Sequence, residues 1–153
     1  MEKVDCFNKE YNYIKDNKKR EDLKYLVSNL PDYFFEIPAS STGKYHPKFA
    51  STENGLVKHT KVAVRIAKEL LDNPGLNNFK DNEKDIIIMA LVLHDGFKSG
   101  VVKEKYTRFD HPLLAADFIR KQKDNISLNE EELDLITRVI SSHMGIWNKC
   151  PRS

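Results

Sequence analysis

The stretch IIIMALVLHDGFKSG, residues 86–100, decides how this chain is read, because an ionisable pair follows directly on eight apolar residues. Residues 86–93 read as a buried helix. At helical spacing, Ile87, Ala90 and Leu91 share the face of His94, while Ile88, Leu91 and Val92 share that of Asp95. A carboxylate on such a face needs a partner, since burying an unpaired charge costs several kcal/mol or more. A metal ion or a strong hydrogen-bond partner is therefore expected at Asp95. The alternative is a His-Asp pair exposed at a helix C-terminus just before Gly96.

Three further histidines bear on that choice. His59 lies in NGLVKHTKVAVRIAKELL, where Val62, Ala63, Ile66 and Leu70 follow at offsets that place them on its side of a helix, so it is expected to face a core. His111 opens HPLLAADFIR, with Leu114, Ala115 and Phe118 on its face. Pro112 is tolerated behind it because the first helical turn has no internal N–H bonds to lose. His143 ends EELDLITRVISSH, below which Ile136, Val139 and Ile140 align. Each histidine alone reads as a core or capping residue. Four of them on the apolar faces of four predicted helices, one beside an Asp, read together as a convergent site whose imidazole and carboxylate donors suit divalent transition metals. The two cysteines, Cys6 and Cys150, lie at opposite ends of the chain and have nothing of a zinc-finger spacing.

The order H…HD…H…H, carried by His59, His94-Asp95, His111 and His143, resembles the HD-domain metal-dependent phosphohydrolases over roughly residues 40–148. GLVKHT resembles that family's first-helix entry, LVLHDGFKSG its metal helix with a following lysine, and HPLLAA the start of its third helix. The lead-in PASSTGKYHPKFASTENGLVKHT resembles, more loosely, the branch with HD-domain 3′-to-5′ exoribonucleases. The resemblance implies an all-α, HD-domain-like helical bundle with His59, His94, Asp95, His111 and His143 as metal ligands. One position departs from the pattern. The family usually supplies a further Asp from a helix after the one bearing His143, and this sequence ends at Ser153. Asp134 does not replace it, being nine residues before His143 and, at about 100° per residue, on the opposite face. Either water takes that ligand position or the natural chain continues.

At 153 residues the chain fits one domain, expected to span 1–153 with an N-terminal helix near 18–30 ahead of the core. The hydrophobic fraction of 40% and charged fraction of 31% are those of a soluble globular protein. With no signal-like N-terminus and no membrane-spanning apolar run, a cytoplasmic location is expected, and reduced thiols with it. A net charge of +2 leaves no strong electrostatic footprint for nucleic acid. No protein partner is implied.

The chain otherwise reads as helices joined by polar loops, without period-two alternation, internal repeat or low-complexity tract. Asp16 or Asn17 is expected to cap a helix through KKREDLKYLVSNL that Pro31 ends. Residues 31–54 form a long connection of the kind that is often functional. A helix from about 55 to 72 stops at Asn73-Pro74-Gly75. The next is capped by Asp81 and stops at Gly96, and Ser127 with Glu130 spells a capping box for the last. The charge run KDNKKRED, residues 15–22, reads as a solvated face.

A divalent ion held by His59, His94 and Asp95 would acidify a water and polarise a phosphoryl oxygen. If His111 and His143 hold a second, Asp95 is the natural bridge, having two oxygens. Mn, Fe, Mg, Ni and Zn are not distinguished. Lys98 is the candidate for neutralising substrate phosphate, against an exposed helix-end lysine. Lys44, His46 and Arg108 are candidates for contacting a nucleotide or single-stranded nucleic acid, against solvated loop residues. The expected function is a phosphohydrolase of a nucleotide or nucleic-acid phosphoester. The alternatives are a catalytically incomplete fold that binds or senses a nucleotide, and a plain helical interaction protein.

Overall fold

The computed structural model describes residues 2–37, 55–98 and 111–141, His111 by its backbone only. Among the described residues every regular element is helical. The described α-helices run in the order α1 (Asn8–Tyr11), α2 (Asn17–Ser28), α3 (Gly55–Leu71), α4 (Asp81–Leu93), α5 (His111–Lys121) and α6 (Glu130–Ser141), with short 3₁₀ turns at Lys3–Phe7, Asp32–Phe35 and Lys123–Asn125. No described helix is long and apolar enough to cross a membrane.

The central element is α4. Ile86, Ile88, Met89, Ala90, Val92 and Leu93 are all buried, and residues so distributed leave almost no solvent face, which is the pattern of a helix enclosed by others. It packs against α2, α3 and α6, and α5 closes on α6. The N-terminal residues join the same core: Phe7, Tyr11 and Ile14 are buried, and Phe7 stacks on Phe34 at 6.2 Å between ring centroids.

The helix ends follow local chemistry, with corrections to the sequence reading. Asp16 caps α2 by accepting from the Lys18 N–H at 3.1 Å, as expected. Asp81 does not cap α4 but is its first residue; Lys80 is the N-cap, and its N–H donates to Glu83 at 2.8 Å. The last helix is closed not by Ser127 and Glu130 but two residues later. The Asn129 N–H donates to Glu132 at 3.1 Å and the Glu132 N–H to the Asn129 side chain at 2.9 Å. Asn caps as well as Ser, and Ser127 is committed elsewhere, donating to the buried Asp22 through its hydroxyl at 2.6 Å and its N–H at 3.0 Å.

The charge run 15–22 is a solvated face only in part, Lys15, Asn17, Lys18 and Glu21 being exposed. Lys19 and Asp22 are buried. Lys19 joins Asp16 at 3.1 Å and Glu132 of α6 at 2.7 Å. Arg20 donates to the carbonyls of Tyr11 and Ile14, holding the N-terminal segment on α2. Asp85 of α4 accepts from the Lys15 and Asp16 N–H groups at 3.0 and 3.1 Å. The charges thus tie α2 to α4 and α6. Burial alone would lower the Lys19 pKa, but hydrogen bonds and attraction from Glu132 and Asp16 outweigh it and hold it above the usual lysine value. A raised folded-state pKa stabilises the fold fully below the unfolded lysine value of about 10.4 and ceases to do so as pH rises through the folded value. Lys19→Met should therefore cost about 3 kcal/mol near neutral pH by stranding Glu132. In denaturant titrations the gap between wild type and variant should narrow above about pH 10.4.

The largest departure concerns α3. Its buried face is formed by Leu56, Val57, Thr60, Val64 and Leu71, whereas Val62, Ile66 and Leu70 are exposed. The apolar row following His59 therefore does not face the core. The helix is apolar on two adjacent faces, and offsets alone do not reveal which of them packs.

Candidate metal and phosphate site

The C-terminal end of α4 delivers its polar residues into the protein rather than to solvent. Beyond Leu93 the chain turns tightly, the Gly96 N–H donating to the Leu93 carbonyl at 3.0 Å and the Lys98 N–H to the Asp95 carbonyl at 3.1 Å. His94, Asp95 and Lys98 are only 9%, 4% and 9% exposed. The alternative of an exposed His-Asp pair and an exposed helix-end lysine does not hold.

Gly96 makes this turn possible by close approach, not by an unusual backbone angle. A Cβ there would stand 2.6 Å from Leu30 Cδ2 and 3.2 Å from the Leu93 carbonyl oxygen. Leu30 is itself buried and has little room to yield. Gly96→Ala should lower stability by about 1–3 kcal/mol, the range for overpacking a filled core. Chemical denaturation reads this directly, and Gly96→Ala combined with Leu30→Ala should be less destabilised than the two single costs added.

The hydrogen bonds of His94 fix its ring. A carbonyl oxygen only accepts, so Nδ1, 2.6 Å from the Leu91 carbonyl, carries the hydrogen. Nε2 is left facing Asp95 Oδ2 at 3.1 Å. Two acceptors at that separation repel unless a cation serves both, either a proton on Nε2 or a metal ion. Burial alone would lower the His94 pKa; attraction and a hydrogen bond from Asp95, with the Leu91 carbonyl, outweigh it, and the positive Lys98 opposes them. The net displacement is upward. The donor set also fits an ion. Donors each about 2.1 Å from one metal stand about 3.0 Å apart at a right angle and about 3.4 Å apart at the tetrahedral angle, which brackets the observed His94–Asp95 separation. The outward-facing imidazole nitrogen, oriented by a carbonyl on the opposite nitrogen, is the usual arrangement of a ligating histidine.

The described residues contain part of the expected ligand set. His94 and Asp95 are adjacent, and His59 is half-buried on α3. Among the described residues no group of three or more His, Cys, Asp or Glu side chains stands together as a metal site. His111 occupies the first position of α5, as the sequence predicts, but its side chain lies outside the described residues. So do His143, Lys44, His46 and Arg108. Asp134 is committed to Arg120 at 2.7 Å on the outer side of α6, consistent with its exclusion from the ligand set.

One contributor escaped the sequence reading, the Leu91 carbonyl that orients His94. Its signal is position: the last four carbonyls of a helix lack intrahelical partners and are free to take a side-chain donor. Phe97, at 5.1 Å from Phe118 of α5, further ties the turn to the helix that His111 begins.

No family model matches the chain, and no solved structure matches it. Among curated proteins it is similar to the 3′-5′ exoribonuclease YhaM of Listeria welshimeri serovar 6b and of Listeria monocytogenes serotype 4b, at 29% identity over 129 residues in each case. The corresponding protein of Listeria innocua serovar 6a is 28% identical over the same length. These alignments cover 78% of this chain and 38% of each relative, so the chain is similar to less than half the length of a 3′-5′ exoribonuclease.

Proposed function

We propose that this chain carries a metal-dependent phosphohydrolase site that cleaves a phosphoester of a nucleic acid or nucleotide, with the 3′ end of single-stranded RNA as the substrate to test first. The observation that supports the reading is the buried His94–Asp95 pair, whose facing donors stand at a separation that a metal ion bound to both would give. Similarity to a 3′-5′ exoribonuclease supports the choice of substrate class.

In this reading His59, His94, Asp95, His111 and His143 would hold one or two divalent ions, and Asp95, with two carboxylate oxygens, could serve both. When bound, such an ion supplies Lewis acidity toward a phosphoryl oxygen and acidifies a water. The chain's own residues do the rest. The Leu91 carbonyl holds the imidazole in one tautomer. The buried turn 94–98 keeps bulk water from competing for the charges, so each electrostatic contact gains strength. Lys98 neutralises a phosphoryl oxygen, while Lys44, His46 and Arg108 contact the remainder of the substrate.

The test is hydrolysis of 5′-labelled single-stranded RNA and of a chromogenic phosphodiester, with Mn, Fe, Mg, Ni or Zn supplied in turn. Expected is a metal-dependent ladder shortening from the 3′ end, abolished by chelator. Bound metal without turnover on any phosphoester would reject the hydrolase in favour of a binding module. Neither metal nor turnover would leave a helical interaction protein.

A further inference from the structure

Along α3 the residues Val62, Ile66 and Leu70 form an exposed apolar row at four-residue spacing, Ile66 being 53% and Leu70 52% exposed. Such a row is the ridge used in the commonest class of helix packing. It does not stop at the helix. Leu70 is also a wall of an open apolar groove of about 810 Å³ whose other walls include Leu76, Phe79, Ile87 and Leu135. Leu76 and Phe79 are themselves exposed. A continuous apolar surface of this kind on a soluble protein marks a place where something docks.

The charges beside the row say what fits. Arg65 and Glu69 are exposed, one turn apart and on the same side of the ridge, and among the described residues neither makes an ion pair. We propose that the surface is covered by a second copy of this chain, through antiparallel packing of α3 on α3 about a two-fold axis at Ile66. The register is self-complementary. Ile66 meets its own counterpart, and Val62 and Leu70, each four residues from the centre, meet Leu70 and Val62 of the partner subunit. Same-side flanking positions face one another in antiparallel helix pairs, so Arg65 lies against Glu69 of the partner subunit, and the exchange is repeated by symmetry. Isologous contacts demand this kind of self-matching patch. The opposite flank carries Ala63 and Ala67, small enough to let the helices approach. The proposal does not depend on the metal site.

Sedimentation equilibrium on the full chain over a wide concentration range tests it, with circular dichroism to verify helicity. The wild type should show a monomer–dimer equilibrium. Ile66→Glu should weaken association by about 100-fold or more, since it places two charges at the desolvated centre. Arg65→Glu alone should weaken it about tenfold by setting like charges opposite one another, and Arg65→Glu combined with Glu69→Arg should restore wild-type association. A wild type that stays monomeric at every concentration overturns the proposal and leaves the surface to another occupant. An unaltered dimer in Ile66→Glu, or a double swap as weak as the single one, overturns it too.

Discussion

Asp95→Ala should abolish metal binding and reduce hydrolysis by about 10³-fold or more, at least the scale seen when one preorganised electrostatic group is removed from an active site. The substitution removes the carboxylate that faces His94 Nε2 at 3.1 Å and, with it, the reason for a cation to sit there. His94 can then become neutral, keeping its Nδ1 hydrogen bond to Leu91, and the helical circular dichroism should be almost unaltered. Asp95→Asn separates charge from shape: it retains the volume and an acceptor oxygen but not the negative charge, and should lose metal nearly as completely. Full activity in either variant would remove Asp95 from the site, and collapse of the fold in both would make the pair a structural ion pair.

Lys98→Ala should lower turnover on phosphoesters by about 10²–10³-fold while leaving the metal content intact. The lysine is buried, and its positive charge opposes protonation of His94, so it stands close to the pair without being a donor to a metal. A cation held in a poorly hydrated place gains most when negative charge builds on a phosphoryl oxygen. Lys98→Arg tests this further, restoring the charge but not the shape of the ammonium group. It should recover part of the activity. Metal and activity falling together in Lys98→Ala would show that the lysine supports the fold of the turn, and unaltered kinetics would place the phosphate contact elsewhere.

How far the sequence could be read depended on whether one pattern implied one packing. Residues 86–93 are apolar on nearly every face, so burial of α4 and of the His-Asp pair at its end followed with little choice. Asp16 was legible as a cap because it stands directly before a periodic segment. The reading of α3 failed at its face, since the row at Leu56, Val57 and Val64 and the row at Val62, Ile66 and Leu70 are both apolar, and only tertiary contacts select the first. The run at 15–22 was legible only in part, for a related reason. Lys19 and Asp22 look solvated until Glu132 and Ser127, more than a hundred residues later, supply their partners. Gly96 reads as a helix stop, and only the position of Leu30 shows that it is a point of close packing. The ligand roles proposed for His59, His111 and His143 rest on sequence pattern and resemblance, and the proposal for His94 and Asp95 draws also on their facing donors at 3.1 Å.

Elemental analysis of protein loaded with manganese and then freed of excess ion tests the central claim most directly, with wild type and Asp95→Asn treated in parallel. The account predicts one or two bound ions per chain in the wild type and a loss of most of that metal in the variant, at equal helicity. Equal metal in the two proteins, or none above background in the wild type with any of the five candidate ions, would contradict it.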